Sequence, residues 1–342
     1  MRAPRALAAL ALVALAGLVA ACGDDDGGGN GGASGGDGQE RRAVTVMLNW
    51  SPNTHHIGLY AALEEGWFDE AGLDVTLVEP GEGGAEQAVA AGRAQLGISV
   101  AEGVLPAREQ GLPIVSVATV LPVNDSSLMS LASDGITRPR DLEGKLYGGY
   151  GGPLETELLR ALVTCDGGNP DALRQVEIGN VEYLPGMEQD RFDVVWVFDG
   201  WDVQRARVQG VDVATIPFRD WADCIPNWYT PLFIASEATV ADDPELVRTF
   251  FDVAARGYQL AAEDPDRAAD LFLAAVPELD ADLVRASAAY YAPLWQEEGR
   301  PWGHQDAEVW ADFEEFLRGA GALERPVDTS EAFTNALLPS RS

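Results

Sequence analysis

Short apolar segments alternate with amphipathic segments along much of the chain, and this pattern predicts an α/β protein. The first set comprises strands and helices in turn, with strands at 43–48, 73–78, 95–99 and 114–120 and helices at 57–68 and 85–91. A second set begins after Leu142, with strands at 145–150, 194–197 and 211–216 and helices at 154–163 and 201–209. Such alternation is typical of parallel sheets flanked by helices. From Pro244 the pattern is helical, so we expect two α/β lobes followed by a helical tail. This arrangement is typical of a protein that binds its ligand in a cleft between two lobes.

The first residues predict export. Arg2 and Arg5 precede an apolar run at 6–21, which is shorter than the ~20 residues that a membrane span needs, so a secretory signal fits better. Small residues directly before Cys22 resemble the bacterial lipobox, in which the cysteine becomes the lipidated N-terminus. We predict a signal peptide at 1–21 and a membrane anchor at Cys22, the alternative being an ordinary signal peptide with an incidental cysteine. The Gly- and Asp-rich stretch at 22–42 is predicted to be a flexible tether.

Charge and cysteine content narrow the picture further. The chain has 23 Lys and Arg against 55 Asp and Glu, a formal net charge of -32, which excludes a nucleic-acid binder because phosphates require clustered cations. Either a coding bias or adaptation to high salt would give this pattern, and both alternatives stay open. If Cys22 carries lipid, Cys165 and Cys224 remain, an even number in an oxidising compartment. They form either a disulfide or two separately buried thiols.

The turn after the first predicted strand is the richest in candidate ligand-binding groups. Pro52 forces an extended turn and Asn53 is a good N-cap, so a helix is expected to start near Thr54 with its free N–H groups facing a cleft. Its candidate residues are an aromatic wall, an amide, an imidazole and a phenol: Trp50, Asn53, His56 and Tyr60. The alternative places the aromatic side chains in the core and the histidines on the surface. No third His or Cys lies at ligand spacing, so no metal is predicted.

The second set of strands supplies further candidates. Glu155 follows a glycine turn into a helix, and Trp201 and Asp202 follow the strand at 194–197. Tyr229 precedes the strand expected to return to the first lobe, so it is predicted near the hinge. The alternatives are a solvated turn carboxylate for Glu155, core packing for Trp201, helix capping for Asp202 and a purely structural role for Tyr229. The aromatic residues of the helical tail are interpreted as core.

Several blocks of the chain resemble the SsuA/THI5-like (NMT1) family. They are MLNWSPNTHHIGLYAALEEGWFDEAGLDV, GRAQLGIS, GLPIVSVA, YGGYGGPLE, VFDGWD and WYTPLFIASE. The resemblance covers nearly the whole chain after the tether. It implies a type II periplasmic-binding-protein fold, in which two α/β lobes close on a ligand around a hinge that the chain crosses twice. The expected first lobe is 43–135 plus 235–342, and the second is 136–234.

The family contains carriers of ABC importers and thiamine-pyrimidine synthases, and the resemblance favours a carrier. The synthases hold pyridoxal phosphate on a Lys directly after the Gly-Ile step of the third strand and carry a His four residues later, where this chain has Ser99 and Gly103. They also carry a Cys-rich motif where this chain has 224–229, and the one Lys of this chain, Lys145, lies in the second lobe. A Schiff base needs an amine. We therefore expect no enzyme activity and no cofactor, and place Ser99 in the ligand site.

The ligand implied by the closest likeness is a thiamine-pyrimidine precursor of the formylaminopyrimidine or hydroxymethylpyrimidine type. A flat aminopyrimidine is best held by aromatic stacking and a carboxylate. Carriers of riboflavin-like or sulfonate solutes are alternatives, and the synthase is a third. As partners we expect the ABC permease of the importer and the membrane through Cys22. The chain is expected to be an extracytoplasmic monomer.

Overall fold

The computed structural model describes residues 41–81, 83–179 and 181–339. The predicted signal peptide, Cys22 and most of the predicted tether lie outside the described residues. The tether was expected to reach residue 42, but Arg42 opens the first strand and pairs with Leu73 of the second. No helix in the described ranges is both long and apolar enough to span a membrane.

Ten strands form two five-stranded sheets. The order in the first sheet is β2-β1-β3-β10-β4, with β1 at Arg42–Met47, β2 at Leu73–Val78, β3 at Leu96–Ser99, β4 at Ile114–Thr119 and β10 at Leu232–Ser236. The order in the second is β7-β6-β8-β5-β9, with β5 at Ser126–Leu131, β6 at Leu146–Gly149, β7 at Arg174–Glu177, β8 at Val194–Phe198 and β9 at Val213–Pro217. The two sheets therefore have equivalent strand orders.

The chain crosses between the sheets twice, and each crossing inserts one antiparallel strand. β5 pairs antiparallel with β8 and β9, whereas β10 pairs antiparallel with β3 and β4. The sheets are therefore mixed, whereas the alternating sequence pattern on its own is typical of parallel sheets. The first crossing lies between Thr119 and Ser126, so the expected lobe boundary at 135 is too late. β10 begins at Leu232, so the expected return at 235 is also late.

The alternating strands are covered by helices. Those before the tail are α1 at Ile57–Glu64, α2 at Trp67–Glu70, α3 at Gly84–Ala90, α4 at Ala101–Glu109, α5 at Pro153–Cys165, α6 at Tyr183–Glu188 and α7 at Gln204–Gln209. The helix predicted at 57–68 is interrupted at Gly66, whose φ of 72° is in the left-handed region that glycine tolerates. The described part of the tail contains α8 at Glu237–Asp242, α9 at Pro244–Glu263, α10 at Pro265–Ala275, α11 at Ala281–Tyr291 and α12 at Ala307–Gly319.

Aspartates start three helices of the tail. The side chains of Asp243, Asp264 and Asp280 each accept a hydrogen bond from a backbone N–H in the first turn of α9, α10 and α11. α9 then packs closely on α1, where a Cβ at Gly257 would overlap the carbonyl oxygen of Gly58. The tail therefore returns to the first lobe, as the sequence pattern predicted.

Two features fix the segment between β9 and β10, through which the chain returns to the first lobe. Cys165 at the end of α5 and Cys224 form a disulfide, with their Cα atoms 5.9 Å apart. Four residues later, Trp228 stacks on Phe313 of α12 with ring centroids 5.0 Å apart. The buried cluster around Trp228 contains residues of both lobes, so the hinge is packed on an apolar core.

Candidate ligand-binding cleft

A cleft of about 690 Å³ lies between the two sheets. It is lined by the segments that follow the carboxyl ends of β1, β3, β6 and β8, which is where open α/β sheets bind ligands. Its aromatic lining is Trp50, Tyr150, Tyr183, Trp196, Phe198 and Trp201. Its polar lining includes Asn49, Asn53, His55, Glu102, Glu155, Glu182, Asp202 and Arg205. The volume and the mixture of aromatic and polar groups are typical of a small-molecule site.

Two aromatic side chains of the cleft are exposed. Trp50 in the first lobe is 50% exposed and Tyr150 in the second is 55% exposed. Over the described ranges, every other Phe, Trp and Tyr side chain is buried or partly buried. Exposing such large apolar surfaces is unfavourable unless a ligand covers them. Since Trp50 and Tyr150 belong to opposite lobes, a flat ring between them would contact both walls.

His56 supports the first-lobe loop and does not line the cleft, contrary to the prediction. Asn53 caps the 3-10 turn Thr54–His56, its Oδ1 accepting from the N–H of His55 at 2.9 Å. The N–H of Asn53 donates to His56 Nδ1 at 3.3 Å, so Nε2 carries the proton and donates to Asn49 Oδ1 at 2.9 Å. Burial lowers the pKa of His56 to about 3, which keeps the ring neutral.

His55 takes the cleft position expected for His56, because a 3-10 turn precedes α1 and changes which side chains face the cleft. Its ring packs edge-on against Phe198 of the second lobe, with centroids 5.5 Å apart. Burial lowers the pKa of His55 to about 3 as well. The paired histidines in the sequence were the signal for this residue, and only the local turn geometry distinguishes one from the other.

Glu155 lines the cleft, but its carboxylate already accepts hydrogen bonds from neighbouring residues of the protein. Oε1 accepts from the hydroxyl of Tyr147 at 2.8 Å, and Oε2 accepts from the N–H groups of Tyr150 and Gly152 at 2.9 and 3.3 Å. Glu155 is therefore neither solvated nor a free ligand acceptor. Its carboxylate fixes the turn that presents Tyr150.

Trp201 and Asp202 line the cleft on a π-helical turn, Asp199–Val203, directly after β8. Asp202 Oδ2 accepts from the N–H of Phe198 at 3.2 Å, and burial raises the pKa of this carboxyl to about 6. The guanidinium carbon of Arg205 lies 5.6 Å from the centroid of the Trp201 ring, a cation–π contact. This wall combines an aromatic face, an acceptor and a cation.

Three further predicted residues lie outside the cleft lining. Tyr60 is partly buried and packs against the core of the first lobe, with its ring centroid 4.9 Å from that of Phe272. Ser99 is buried and donates to Glu86. Tyr229 is buried near the hinge, where its hydroxyl accepts from the N–H of Asp306 at 2.7 Å. Each is thus held by packing or by hydrogen bonds within the protein.

Glu102 is a cleft residue that sequence reasoning missed. It lies in the first turn of α4, just after the third strand, and no motif marks it. Its Oε2 makes no hydrogen bond to any described residue, and burial raises the pKa of the carboxyl to about 8. At neutral pH the group is thus predominantly protonated and able to donate a hydrogen bond.

No group of three or more His, Cys, Asp or Glu side chains within the described ranges is arranged to hold a metal. A pyridoxal-type cofactor would need an amine, and the described cleft lining contains no Lys. Lys145 lies outside the lining and donates to the carbonyl of Asp134 at 3.4 Å. The cleft therefore offers stacking surfaces and hydrogen-bonding groups.

This arrangement defines a class by its fold, the two-lobed type II periplasmic-binding-protein fold. The periplasmic aliphatic sulphonate binding protein SsuA from Escherichia coli superposes with a TM-score of 0.68 at 14% sequence identity, covering 88% of this chain and 94% of that one. At this identity the likeness concerns the fold alone. Within the class, the chain belongs to the NMT1/THI5-like family, whose model matches residues 53–268.

Relatives in sequence include carriers and enzymes. The formylaminopyrimidine-binding protein of Halalkalibacterium halodurans is 30% identical over 305 residues, covering 87% of this chain and 92% of that protein. The riboflavin-binding protein RibY of Chloroflexus aurantiacus is 31% identical over 311 residues, covering 87% of each. A 4-amino-5-hydroxymethyl-2-methylpyrimidine phosphate synthase of Legionella pneumophila is 24% identical over 302 residues, covering 86% of this chain and 92% of the enzyme.

Proposed function

We propose that the protein is an extracytoplasmic solute-binding protein of an ABC importer, and that it binds a thiamine-pyrimidine precursor of the formylaminopyrimidine type. The observation that carries this proposal is the pair of exposed aromatic residues, Trp50 and Tyr150, on opposite walls of one cleft. A flat ring stacked between them would hold the lobes closed. The similarity to the H. halodurans binding protein supports the choice of ligand.

The polar groups of the cleft complement an aminopyrimidine. The exocyclic amine donates hydrogen bonds, and the carboxylate of Asp202 accepts them. The ring nitrogens accept, and the protonated carboxyl of Glu102 donates. Glu155 acts indirectly, since its carboxylate holds the backbone of Tyr150. Stacking of the ring, together with one acceptor and one donor of the cleft, would account for specificity without a metal or cofactor.

The charge of the cleft disfavours a sulfonate. Among the described lining residues, Arg205 is the one cation against four carboxyl groups, those of Glu102, Glu155, Glu182 and Asp202. An anion would need more positive charge than this wall provides. A riboflavin-like solute is the second candidate, because six aromatic residues line the cleft and RibY is similar to this chain.

A non-enzymatic role fits the chemistry better than pyrimidine synthesis. A pyrimidine synthase of this family would need an amine to hold pyridoxal phosphate, and Lys145 donates to the Asp134 carbonyl away from the cleft lining.

We further propose that cleavage after residue 21 leaves Cys22 as a lipid anchor, with a tether that lets the monomer reach the permease on the same membrane. Labelling with radioactive palmitate in a bacterial host tests the anchor, since Cys22→Ala should abolish incorporation.

Calorimetric titration with a formylaminopyrimidine, riboflavin and taurine tests the ligand. We expect the pyrimidine to bind more tightly than the other two. Trp50→Ala should weaken binding at least about fivefold, since an aromatic contact contributes roughly 1 kcal/mol beyond burial. Trp67→Phe is the matched control, because Trp67 packs under Arg256 outside the cleft lining. Tight taurine binding without pyrimidine binding would overturn the proposal.

A further inference from the structure

A buried aspartate lies at the first crossing between the lobes. Asp125 is only 1% exposed and directly precedes β5. Its Oδ2 accepts from the hydroxyl of Tyr291 in α11 at 2.6 Å and from the N–H of Gly200 at 3.3 Å. Tyr291 belongs to the tail of the first lobe and Gly200 to the turn after β8 in the second. One carboxylate oxygen therefore joins both lobes.

The contact between Tyr291 and Gly200 is close. A Cβ on residue 200 would overlap the Tyr291 ring, so the turn reaches α11 only with glycine. Ser287 of α11 also donates to the carbonyl of Gly200 and contacts the hydroxyl of Thr54. α11 thus links the first-lobe loop that carries His55 to the second-lobe turn that carries Trp201.

The other oxygen of Asp125 faces the cleft histidine. Asp125 Oδ1 lies 3.8 Å from His55 Nε2. Both atoms are buried, and neither makes a hydrogen bond to any described residue. A hydrogen bond requires a separation of about 2.7–3.2 Å, so an approach of roughly 1 Å would join them. A relative movement of this size is small for two lobes that close around a hinge.

The protonation states of Asp125 and His55 determine which of the two would donate the hydrogen bond. Burial raises the pKa of Asp125 to about 6 and lowers that of His55 to about 3, so at neutral pH a carboxylate faces a neutral imidazole. A carboxylate only accepts hydrogen bonds, and a neutral imidazole has one N–H and one acceptor nitrogen. The carboxylate therefore favours the tautomer with the proton on Nε2, which leaves Nδ1 as the acceptor.

We propose that Asp125 is a positioning residue of the cleft: on lobe closure its Oδ1 accepts the Nε2–H of His55, and His55 then presents Nδ1 to a donor group of the ligand. This inference rests on the proposed function, because an aminopyrimidine supplies such a donor in its amine. Since Oδ2 of the same carboxylate binds Tyr291 and Gly200, the orientation of His55 is coupled to the closed arrangement of the lobes.

Asp125→Asn tests the proposal with little change in shape. The amide oxygen replaces Oδ2 as the acceptor for Tyr291 and Gly200, which leaves the amide NH₂ facing His55. An amide N–H donates, so it selects the opposite tautomer, with the proton on Nδ1 and a donor facing the ligand's amine. We expect affinity for a formylaminopyrimidine to fall about tenfold, the effect of losing one hydrogen bond.

Long-range ¹H–¹⁵N spectra of the ¹⁵N-labelled full chain report the tautomer directly. The chain has 3 histidines, and His55→Gln identifies the signals of His55. With saturating pyrimidine, we expect protonated Nε2 in the wild type and protonated Nδ1 in Asp125→Asn. Tyr291→Phe is the control, because it removes a hydrogen bond to Oδ2 and should leave the tautomer unchanged.

The outcomes separate this inference from the proposed function. Pyrimidine binding to the wild type with the proton on Nδ1 overturns the inference alone. Pyrimidine binding with the same tautomer and affinity in Asp125→Asn also overturns it alone. No binding of pyrimidine to the wild type overturns the proposed function and this inference with it. If Asp125→Asn does not fold, the tautomer of the liganded wild type still decides.

Discussion

The two lobes have equivalent strand orders but contribute differently to the cleft. The first lobe supplies Trp50 and Asn53 from a loop held by a buried neutral histidine. The second supplies Tyr150 and three of the four lining carboxyl groups, together with Arg205. The exposed aromatic pair is therefore divided between the lobes, whereas most of the charge and five of the six aromatic lining residues lie in the second. If the proposed function is right, hydrogen bonding to the polar edge of the pyrimidine should depend mainly on the second lobe.

The lobes also differ in how they are supported. The first is covered by the long helices α9 and α10, and Phe250, Phe251 and Tyr258 are fully buried in its core. One core of the second lobe is a smaller cluster that includes Met129 and Phe192, and the lobe carries the disulfide between Cys165 and Cys224. Packing should dominate stability in the first lobe, and the cross-link should matter more in the second.

Removing the disulfide is expected to have the largest effect on stability. Cys165 and Cys224 are separated by 59 residues, and closing a loop of that size stabilises a protein by about 4 kcal/mol in the chain-entropy account. We expect Cys165→Ala/Cys224→Ala to lose about this much free energy of unfolding in urea. Dithiothreitol should destabilise the wild type and leave the double variant unchanged. A loss below about 1 kcal/mol would show that the second lobe does not depend on the cross-link.

Gly257→Ala should cost about 2–3 kcal/mol, since overpacking forces the backbone apart where α9 crosses α1. The measurement is the free energy of unfolding in urea. Gly319→Ala at the end of α12 is the matched control, because a Cβ there meets no atom within 4 Å. The control should be neutral or slightly stabilising. Equal effects of the two variants would contradict the close packing assigned to the first lobe.

His56→Gln should change how stability depends on pH. The folded-state pKa of His56 is about 3 against 6.5 for the free side chain, so its contribution is complete above pH 6.5 and is lost as pH falls towards 3. The wild type should lose up to about 1.4 kcal/mol per pH unit more than the variant between pH 6 and 5. The buried carboxyl groups titrate in both proteins and cancel in the difference. Parallel stability curves would contradict a buried neutral His56.

The strands that sequence reasoning predicted are those with plain apolar patterns. β2 was predicted at 73–78 and observed at Leu73–Val78, whereas β5 was missed. Its sequence SSLMSL includes three serines that are buried, so hydrophobicity alone did not reveal it. Missing this strand displaced the expected lobe boundary. Strand pairing across the hinge is a tertiary property that local pattern does not contain.

In the site, sequence reasoning located the turns better than the side chains. Trp50, Asn53, Glu155, Trp201 and Asp202 line the cleft, and their contacts with a ligand stay predictions. His55 replaces His56 because the first turn is 3-10, and Glu102 has no motif to mark it. Whether a carboxylate is free also depends on tertiary contacts, as Glu155 shows through its bonds to Tyr147 and Tyr150.

A crystal structure of the protein with a bound formylaminopyrimidine would test whether the ligand lies between the two exposed aromatic residues. We predict a closed cleft with the pyrimidine ring stacked between Trp50 and Tyr150 and its exocyclic amine within hydrogen-bond distance of Asp202. A ring bound away from these two aromatic residues, or a ligand held through Arg205 alone, would contradict it.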